Sequence, residues 1–335
     1  MRFRPSQQPH CIRFNLPNII QAFVFSVTLI GTAALAQTYP TKPIKVIVPY
    51  SSGTGMDMIA RVVGPKLAER LGQPVVVENR VGASGNIGGS AVAAATPDGY
   101  TLMVNSQAML IAARLYRSMP FDVLADFAPI SLTAWGTQML VTHAKSGVRN
   151  IGELVAMAKA SPGKLTYSTA GAGSSFHITT ETFNGITGIQ MLHVPYKTNA
   201  AALTDLIGGR VTVTVSAVHI VLPHIKAGTI VPLAVISPRR HVKVPDVPTM
   251  AEAGVAGVDD EFWHAVYAPK GTPAPIISRV RGELLAILAL PDVHEAFGNV
   301  GLTPTTSTPE ELRALMRRDL ARLEQVIRKH NITLD

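Results

Sequence analysis

Ile44-Lys-Val-Ile-Val-Pro-Tyr50 runs directly into Ser51-Ser-Gly-Thr-Gly-Met-Asp57. The first stretch is a β-rich run that ends at Pro49. Ile59, Val62, Val63, Leu67 and Leu71 then recur at helical spacing, until Gly72 and Pro74 stop the pattern. A strand, a glycine loop and a helix are therefore expected in that order. Val75-Val-Val77 is a second strand, Gly85 to Ala95 a small-residue helix suited to close packing, and Tyr100 to Val104 a third strand. The rhythm repeats after Ile130. Asn150-Ile-Gly-Glu153 is a capping box, Leu165 to Ser168 a strand, and Gly171-Ala-Gly-Ser-Ser175 a glycine loop before a helix that reaches about Asn184. Strands at 191–194, 211–215 and 230–236 alternate with helices at 200–207 and 219–227. The last stretch begins with Phe262 to Tyr267. Thr308-Pro-Glu-Glu311 caps a long last helix with a stripe of Leu312, Leu315, Met316, Leu320, Leu323, Val326 and Ile327. Such alternation implies an α/β protein with mostly parallel sheets flanked by helices.

The chain has 335 residues, 47% of them hydrophobic and 16% charged, enough for a sizeable core and for two domains. Lys and Arg outnumber Asp and Glu by 30 to 22, but the basic residues are dispersed and aromatics are sparse, so no nucleic-acid partner is expected. Arg2, Arg4 and Arg13 precede an apolar run from Ile19 to Ile30, and Ala34-Leu-Ala36 then offers a small-x-small cleavage pattern. Residues 1–36 read as a signal peptide cut after Ala36, with an uncleaved anchor as the alternative. The single cysteine, Cys11, leaves with it, so no disulfide or cysteine metal site is expected.

Two glycine loops carry the chemistry. Tyr50, Ser51, Ser52, Gly53 and Thr54 lead into one helix, and Gly173, Ser174 and Ser175 lead into another. Glycines let a ligand approach the backbone, and unpaired N–H groups at a helix start favour an anion. In open α/β sheets the ligand lies beyond the carboxyl ends of the strands. Ser106 and Gln107, past the third strand, join the candidate set. Asp57, in a first helical turn, either meets the helix dipole or lies near the ligand. No G-x-S-x-G, G-x-G-x-x-G or P-loop occurs, so no catalytic residue and no cofactor is expected. His177 and Glu181 share a helix face without a third ligand, so no metal is expected. A secreted hydrolase using Ser174 or Ser175 with His177 is the rival from another class.

Several motifs resemble the substrate-binding proteins of tripartite tricarboxylate transporters, the Bug family. They are Tyr39-Pro-Thr-Lys-Pro-Ile44, Leu71-Gly-Gln-Pro-Val-Val-Val-Glu-Asn-Arg80, Pro97-Asp-Gly-Tyr-Thr-Leu102, Gly173-Ser-Ser175 with His177, His193-Val-Pro-Tyr-Lys197, Leu222-Pro-His-Ile-Lys-Ala-Gly228 and Pro245-Asp-Val-Pro-Thr249. The resemblance implies a two-domain periplasmic binding protein fold, type II-like, with a carboxylated ligand in the cleft between lobes. Domain 1 is expected at 37–137 plus 262–335 and domain 2 at 138–261. The implied partners are a small carboxylate and the subunits of a membrane permease, with the protein a monomer in the periplasm. A sensor subunit for a signalling kinase is the second binding reading. The ligand contacts implied are Ser51 to Asp57, Ser174 to His177, and Tyr196 to Thr198, with Ser216 at a position where the family often has an acid. Thr54 and Thr198 stand where the family often has glycine.

Overall fold

In this computed structural model the described residues are Met1 and 39–333, apart from Ala170, Ala172, Lys197, Asp259, Asp260, His330 and Asn331. The signal-peptide expectation, including cleavage after Ala36, lies outside them. Among the described residues, eleven strands and ten α-helices alternate much as the hydrophobic pattern requires. The first part contains β1 (Ile44–Val48), α1 (Gly55–Leu71), β2 (Val75–Asn79), α2 (Asn86–Ala93), β3 (Thr101–Ser106), α3 (Ala108–Leu115) and β4 (Phe127–Gly136). The middle contains β5 (Gln138–His143), α4 (Ile151–Ala160), β6 (Thr166–Thr169), α5 (Ser175–Thr187), β7 (Leu192–Pro195), α6 (Asn199–Ile207), β8 (Val213–Ala217), α7 (Val218–Lys226) and β9 (Ile230–Ile236). The last part contains β10 (Phe262–Pro269), α8 (Ala274–Leu288), α9 (Pro291–Asn299), β11 (Leu302–Pro304) and α10 (Pro309–Lys329).

The strands form two sheets, in the orders β11-β4-β10-β3-β1-β2 and β7-β6-β8-β5-β9. Both are mixed. β1, β2 and β3 pair in parallel, as do β6, β7 and β8, because helices carry the chain back between them. The reversed strands are those by which the chain enters a sheet from the other one. β10 is antiparallel to β3 and β4, and β5 is antiparallel to β8 and β9. By direction four of the six strands in the first sheet and four of the five in the second run together, as expected, and β10 and β5 are reversed because a strand arriving from the opposite sheet needs no crossover helix. The short strand β11 is also antiparallel to β4.

This topology positions the loops. β4 leaves the first sheet at Gly136, the end at which β1, β2 and β3 also finish. After one residue, β5 enters the second sheet with Gln138 opposite Ala217, the last residue of β8. β6 and β7 finish at that same end. The carboxyl ends of both strand sets, with the loops that follow them, therefore face the crossing. The return crossing places Phe262 opposite Gly136. The two crossings are also tied by a side chain, because Thr137 Oγ1 donates to Glu261 Oε1 at 3.1 Å.

Each sheet has its own core. Met103, Leu110, Phe127, Trp263, Tyr267, Leu312 and Leu320 pack together in the first. Leu140, Leu154, Tyr167, Phe183, Val213 and Ile236 pack together on one face of the second. Met139, Val141, Leu206, Val218 and Val235 cover its other face. The last helix is pinned from inside. Asp319 is 5% exposed and accepts from Trp263 Nε1 at 2.7 Å and Gln107 Nε2 at 3.0 Å. A buried carboxylate needs such donors to offset its lost hydration.

Four consecutive residues after β2, Gly82 to Gly85, have positive φ, and two of them are not glycine: Ala83 at 47° and Ser84 at 53°. That conformation costs a side-chain-bearing residue about 1–2 kcal/mol. Tyr50 holds the turn by donating to the Ser84 carbonyl at 2.9 Å, and Tyr116 donates to Ser84 Oγ at 3.2 Å. Ala83 is exposed and has only a methyl group to lose. Ala83→Gly should therefore stabilise the protein by about 0.5 kcal/mol, once the added freedom of the unfolded chain is counted. An upward shift of the urea midpoint would show it, and a downward shift would refute the strain.

Candidate functional site

The first loop is closed by its own aspartate. Asp57 lies in the first turn of α1 and is 2% exposed. Its carboxylate accepts from the Gly53 N–H at 2.9 Å, from Arg61 Nε at 3.0 Å and from Asn79 Nδ2 at 2.9 Å. Burial pushes this carboxyl up, but the bonds from Arg61, Gly53 and Asn79 together outweigh it and hold it below the ordinary aspartate value. Arg61 reaches Asn79 Oδ1 as well, at 2.9 Å. Asp57 therefore clasps the loop, with its lone pairs facing protein donors. Within the loop, Thr54 Oγ1 donates to the Ser51 carbonyl at 2.9 Å rather than capping α1, and Ser52 Oγ donates to Asn79 Oδ1 at 3.3 Å. Tyr50 is turned toward Ser84.

The second loop is built around a helix start. Ser174 is the N-cap of α5, and its Oγ accepts from the His177 N–H at 3.3 Å. Gly173 has φ +73°, a conformation that favours glycine, and its N–H donates to His177 Nδ1 at 3.0 Å. His177 Nδ1 is thus an acceptor, and the ring proton sits on Nε2. The His177 ring stacks on His193 with centroids 4.1 Å apart, and His193 stacks on Tyr167 at 4.8 Å. Burial, with the neighbouring His193, lowers His177 to about 3, so it is neutral at physiological pH. Ser175 is the first residue of α5 and is half-buried.

Neighbouring elements complete this side. The Tyr196 N–H donates to the Thr169 carbonyl at 2.9 Å, joining the ends of β6 and β7. Thr198 caps α6, accepting from the Ala201 N–H at 3.2 Å. Tyr196 spends its hydroxyl on Asp205 Oδ2 at 2.6 Å. Ser216 is buried near the end of β8, opposite Met139. In the first sheet, Ser106 ends β3 opposite His264, and its Oγ accepts from the Ala108 N–H at 3.3 Å. Gln107 directs its amide into the core, toward Asp319.

The structure thus gathers Tyr50 to Asp57 around one helix start, and Gly173 to His177 with Tyr196 and Thr198 around the ends of β6 and β7. Several participants were not singled out in the sequence. Arg61 follows Asp57 by four residues, a spacing that could have flagged it. Asn79 joins only through tertiary packing. The serine hydrolase reading fails on geometry. His177 Nδ1 faces a backbone N–H and Ser174 Oγ caps the helix, so neither serves a nucleophile and base pair. His177 and Glu181 also diverge, since Glu181 accepts from Tyr167 and from Asn184. Among the described residues, no group of three or more His, Cys, Asp or Glu is placed to hold a metal ion.

Comparison with known proteins bears on the family and the fold. Residues 59–332 match the model of the tripartite tricarboxylate transporter family receptor. Protein BugT of Bordetella pertussis is 37% identical over 319 residues, covering 94% of this chain and 98% of BugT. The structure of Rpa4515 of R. palustris with adipate superposes with a TM-score of 0.80 at 34% identity, covering 88% of this chain and 99% of that one. MatC of Rhodopseudomonas palustris with bound malate gives 0.76 at 27% identity, covering 86% and 100%. These relatives are binding proteins rather than enzymes, and the two-lobed α/β fold is theirs. This chain belongs to the tripartite tricarboxylate transporter receptor family, the Bug group of periplasmic solute-binding proteins.

Proposed function

We propose that the chain captures a small organic carboxylate between its two loop sets and delivers it to a membrane permease of the tripartite tricarboxylate type. One observation carries the reading: the starts of α1 and α5 lie beyond the carboxyl ends of two sheets that face one crossing. The N–H groups there, with the dipoles of two long helices, suit the two ends of a dianion. Relatives solved with adipate and malate are consistent with this ligand class. The N–H groups of Ser51, Ser52 and Ser175 hold the anion in this reading, those of Gly53 and Gly173 being spent on Asp57 and His177, with Thr198 and Ser216 nearby. Asp57 and Tyr196 act one step removed, by fixing loops. The working unit is a monomer with domains at 37–137 plus 262–335 and 138–261, exported by a signal cleaved after Ala36. It closes by motion at the two crossings.

Ser175→Ala tests the second loop. It keeps the backbone donors and removes one hydroxyl. Affinity for the carboxylate that gives the largest thermal shift should fall about tenfold, or ~1.4 kcal/mol. The melting temperature without ligand should stay nearly unchanged, because Ser174, not Ser175, caps the helix. Calorimetric titration reads the first effect and a thermal scan the second. Wild-type affinity in both Ser175→Ala and Gly173→Val would reduce this loop to a turn.

A further inference from the structure

Three rings run from one helix start to the other. Phe176, in the first turn of α5, meets Phe262 edge to face at 6.4 Å between centroids. Phe262, the first residue of β10, meets His264 at 5.2 Å in the same manner. His264 reaches α1, since a Cβ on Gly55 would lie 2.8 Å from its Nε2. Gly136 makes room for the row, because a Cβ there would lie 2.2 Å from the Phe262 ring. Phe262 and His264 are two apart in one strand and so share a face.

The row is apolar in its chemistry. His264 is 1% exposed, and its Nδ1 has no hydrogen-bond partner of good geometry. Burial lowers it to about 3, against the nearby Ala134 carbonyl and with a small contribution from His219, so it presents a neutral ring. Phe176 and Phe262 are both half-buried and keep part of their surface accessible. Neither 50–57 nor 171–177 contains lysine or arginine. The two glycine loops thus lie at the ends of the row, and the accessible ring surface between them is that of Phe176 and Phe262.

We propose that Phe176 and Phe262, backed by the buried His264, form the floor under the middle of the ligand, and that the preferred ligand is a dicarboxylate whose centre is unhydroxylated hydrocarbon. The proposal rests on the two-ended carboxylate reading above. A hydroxyl laid against these rings would give up water without gaining a partner, whereas methylene or aryl groups would gain burial. Phe176 and Phe262 are then specificity-determining residues. Neither takes part in the charge or hydrogen-bond network of the loops.

Matched acids that differ by one hydroxyl test the proposal: succinate against malate, and glutarate against 2-hydroxyglutarate, titrated calorimetrically into the exported protein. The deoxy member should bind about tenfold tighter in each pair, within the range that an apolar pocket achieves against an added hydroxyl. Phe262→Ser and Phe176→Ala should each cut that preference to about threefold or less, chiefly by weakening the deoxy acid. Phe176→Ala lies off the crossing strand, so it serves if Phe262→Ser does not fold. Equal or tighter binding of the hydroxylated acids by wild type would overturn the floor and leave the carboxylate reading standing. An unchanged preference in the variants would also overturn it. Binding of no carboxylate would overturn both.

Discussion

Asp57→Ala should cost about 3 kcal/mol of stability and weaken ligand binding by at least about tenfold. The side chain accepts from Gly53, Arg61 and Asn79 in a nearly closed site. Truncation leaves the Gly53 N–H without its acceptor and the Asn79 amide with the Tyr50 carbonyl alone. It also leaves Arg61 with Asn79 Oδ1 alone. Arg61 is half-exposed and can recover water, which keeps the loss below that of a fully buried pair. Gly53 would no longer be tethered to α1, so the loop would lose the conformation that presents its amides. Asp57→Asn retains an acceptor and should fall between wild type and Asp57→Ala.

The same residue gives a pH signature. The folded carboxyl lies below its unfolded value, so its contribution is present above the unfolded value, near pH 4, and is lost as pH falls through the folded one. The gap between the urea midpoints of wild type and Asp57→Asn should therefore be full at about pH 6 and shrink below about pH 4. A gap independent of pH would show that the charge of Asp57 does not contribute.

Gly88→Ala should cost about 2–3 kcal/mol, more than Gly89→Ala one residue later. A Cβ on Gly88 would lie 2.8 Å from the Arg80 carbonyl oxygen and 2.9 Å from Pro49 Cα, both backbone atoms that cannot rotate aside. A Cβ on Gly89 would meet the Phe121 ring at 2.5 Å, and a ring can tilt. The predicted order follows from what has to move, since both positions belong to one helix. Because Pro49 leads into Tyr50 and the first loop, displacing α2 should also lower ligand affinity. Urea unfolding of the two variants decides the order, and equal small effects would mean that α2 is packed loosely.

Sequence patterns located the elements because their causes lie within a few residues. The capping box read at Thr308 is present in full. Thr308 Oγ1 accepts from the Glu311 N–H at 3.1 Å, and Glu311 accepts from the Thr308 N–H at 2.8 Å. At Asn150 the side chain likewise accepts from the Glu153 N–H, while Glu153 reaches back one residue further, to the Arg149 N–H. The small-residue stretch after Gly85 is a closely packed helix, though only tertiary structure singles out Gly88 as the point of backbone contact.

The sequence by itself therefore determined the alternation of strands and helices, the caps, and the two glycine loops at helix starts. All of these follow from backbone preference and side chains within one or two turns. Tertiary structure decided what the loops are tied to and what lies between them. Asp57 meets Asn79 from the next strand, Gln107 meets Asp319 from the last helix, and Phe262 lies between Phe176 and His264. Those partners are brought together by strand order and by the reversal of β5 and β10. Local periodicity carries no record of either, because a strand shows the same alternation of faces whichever neighbour it pairs with and in whichever direction it runs.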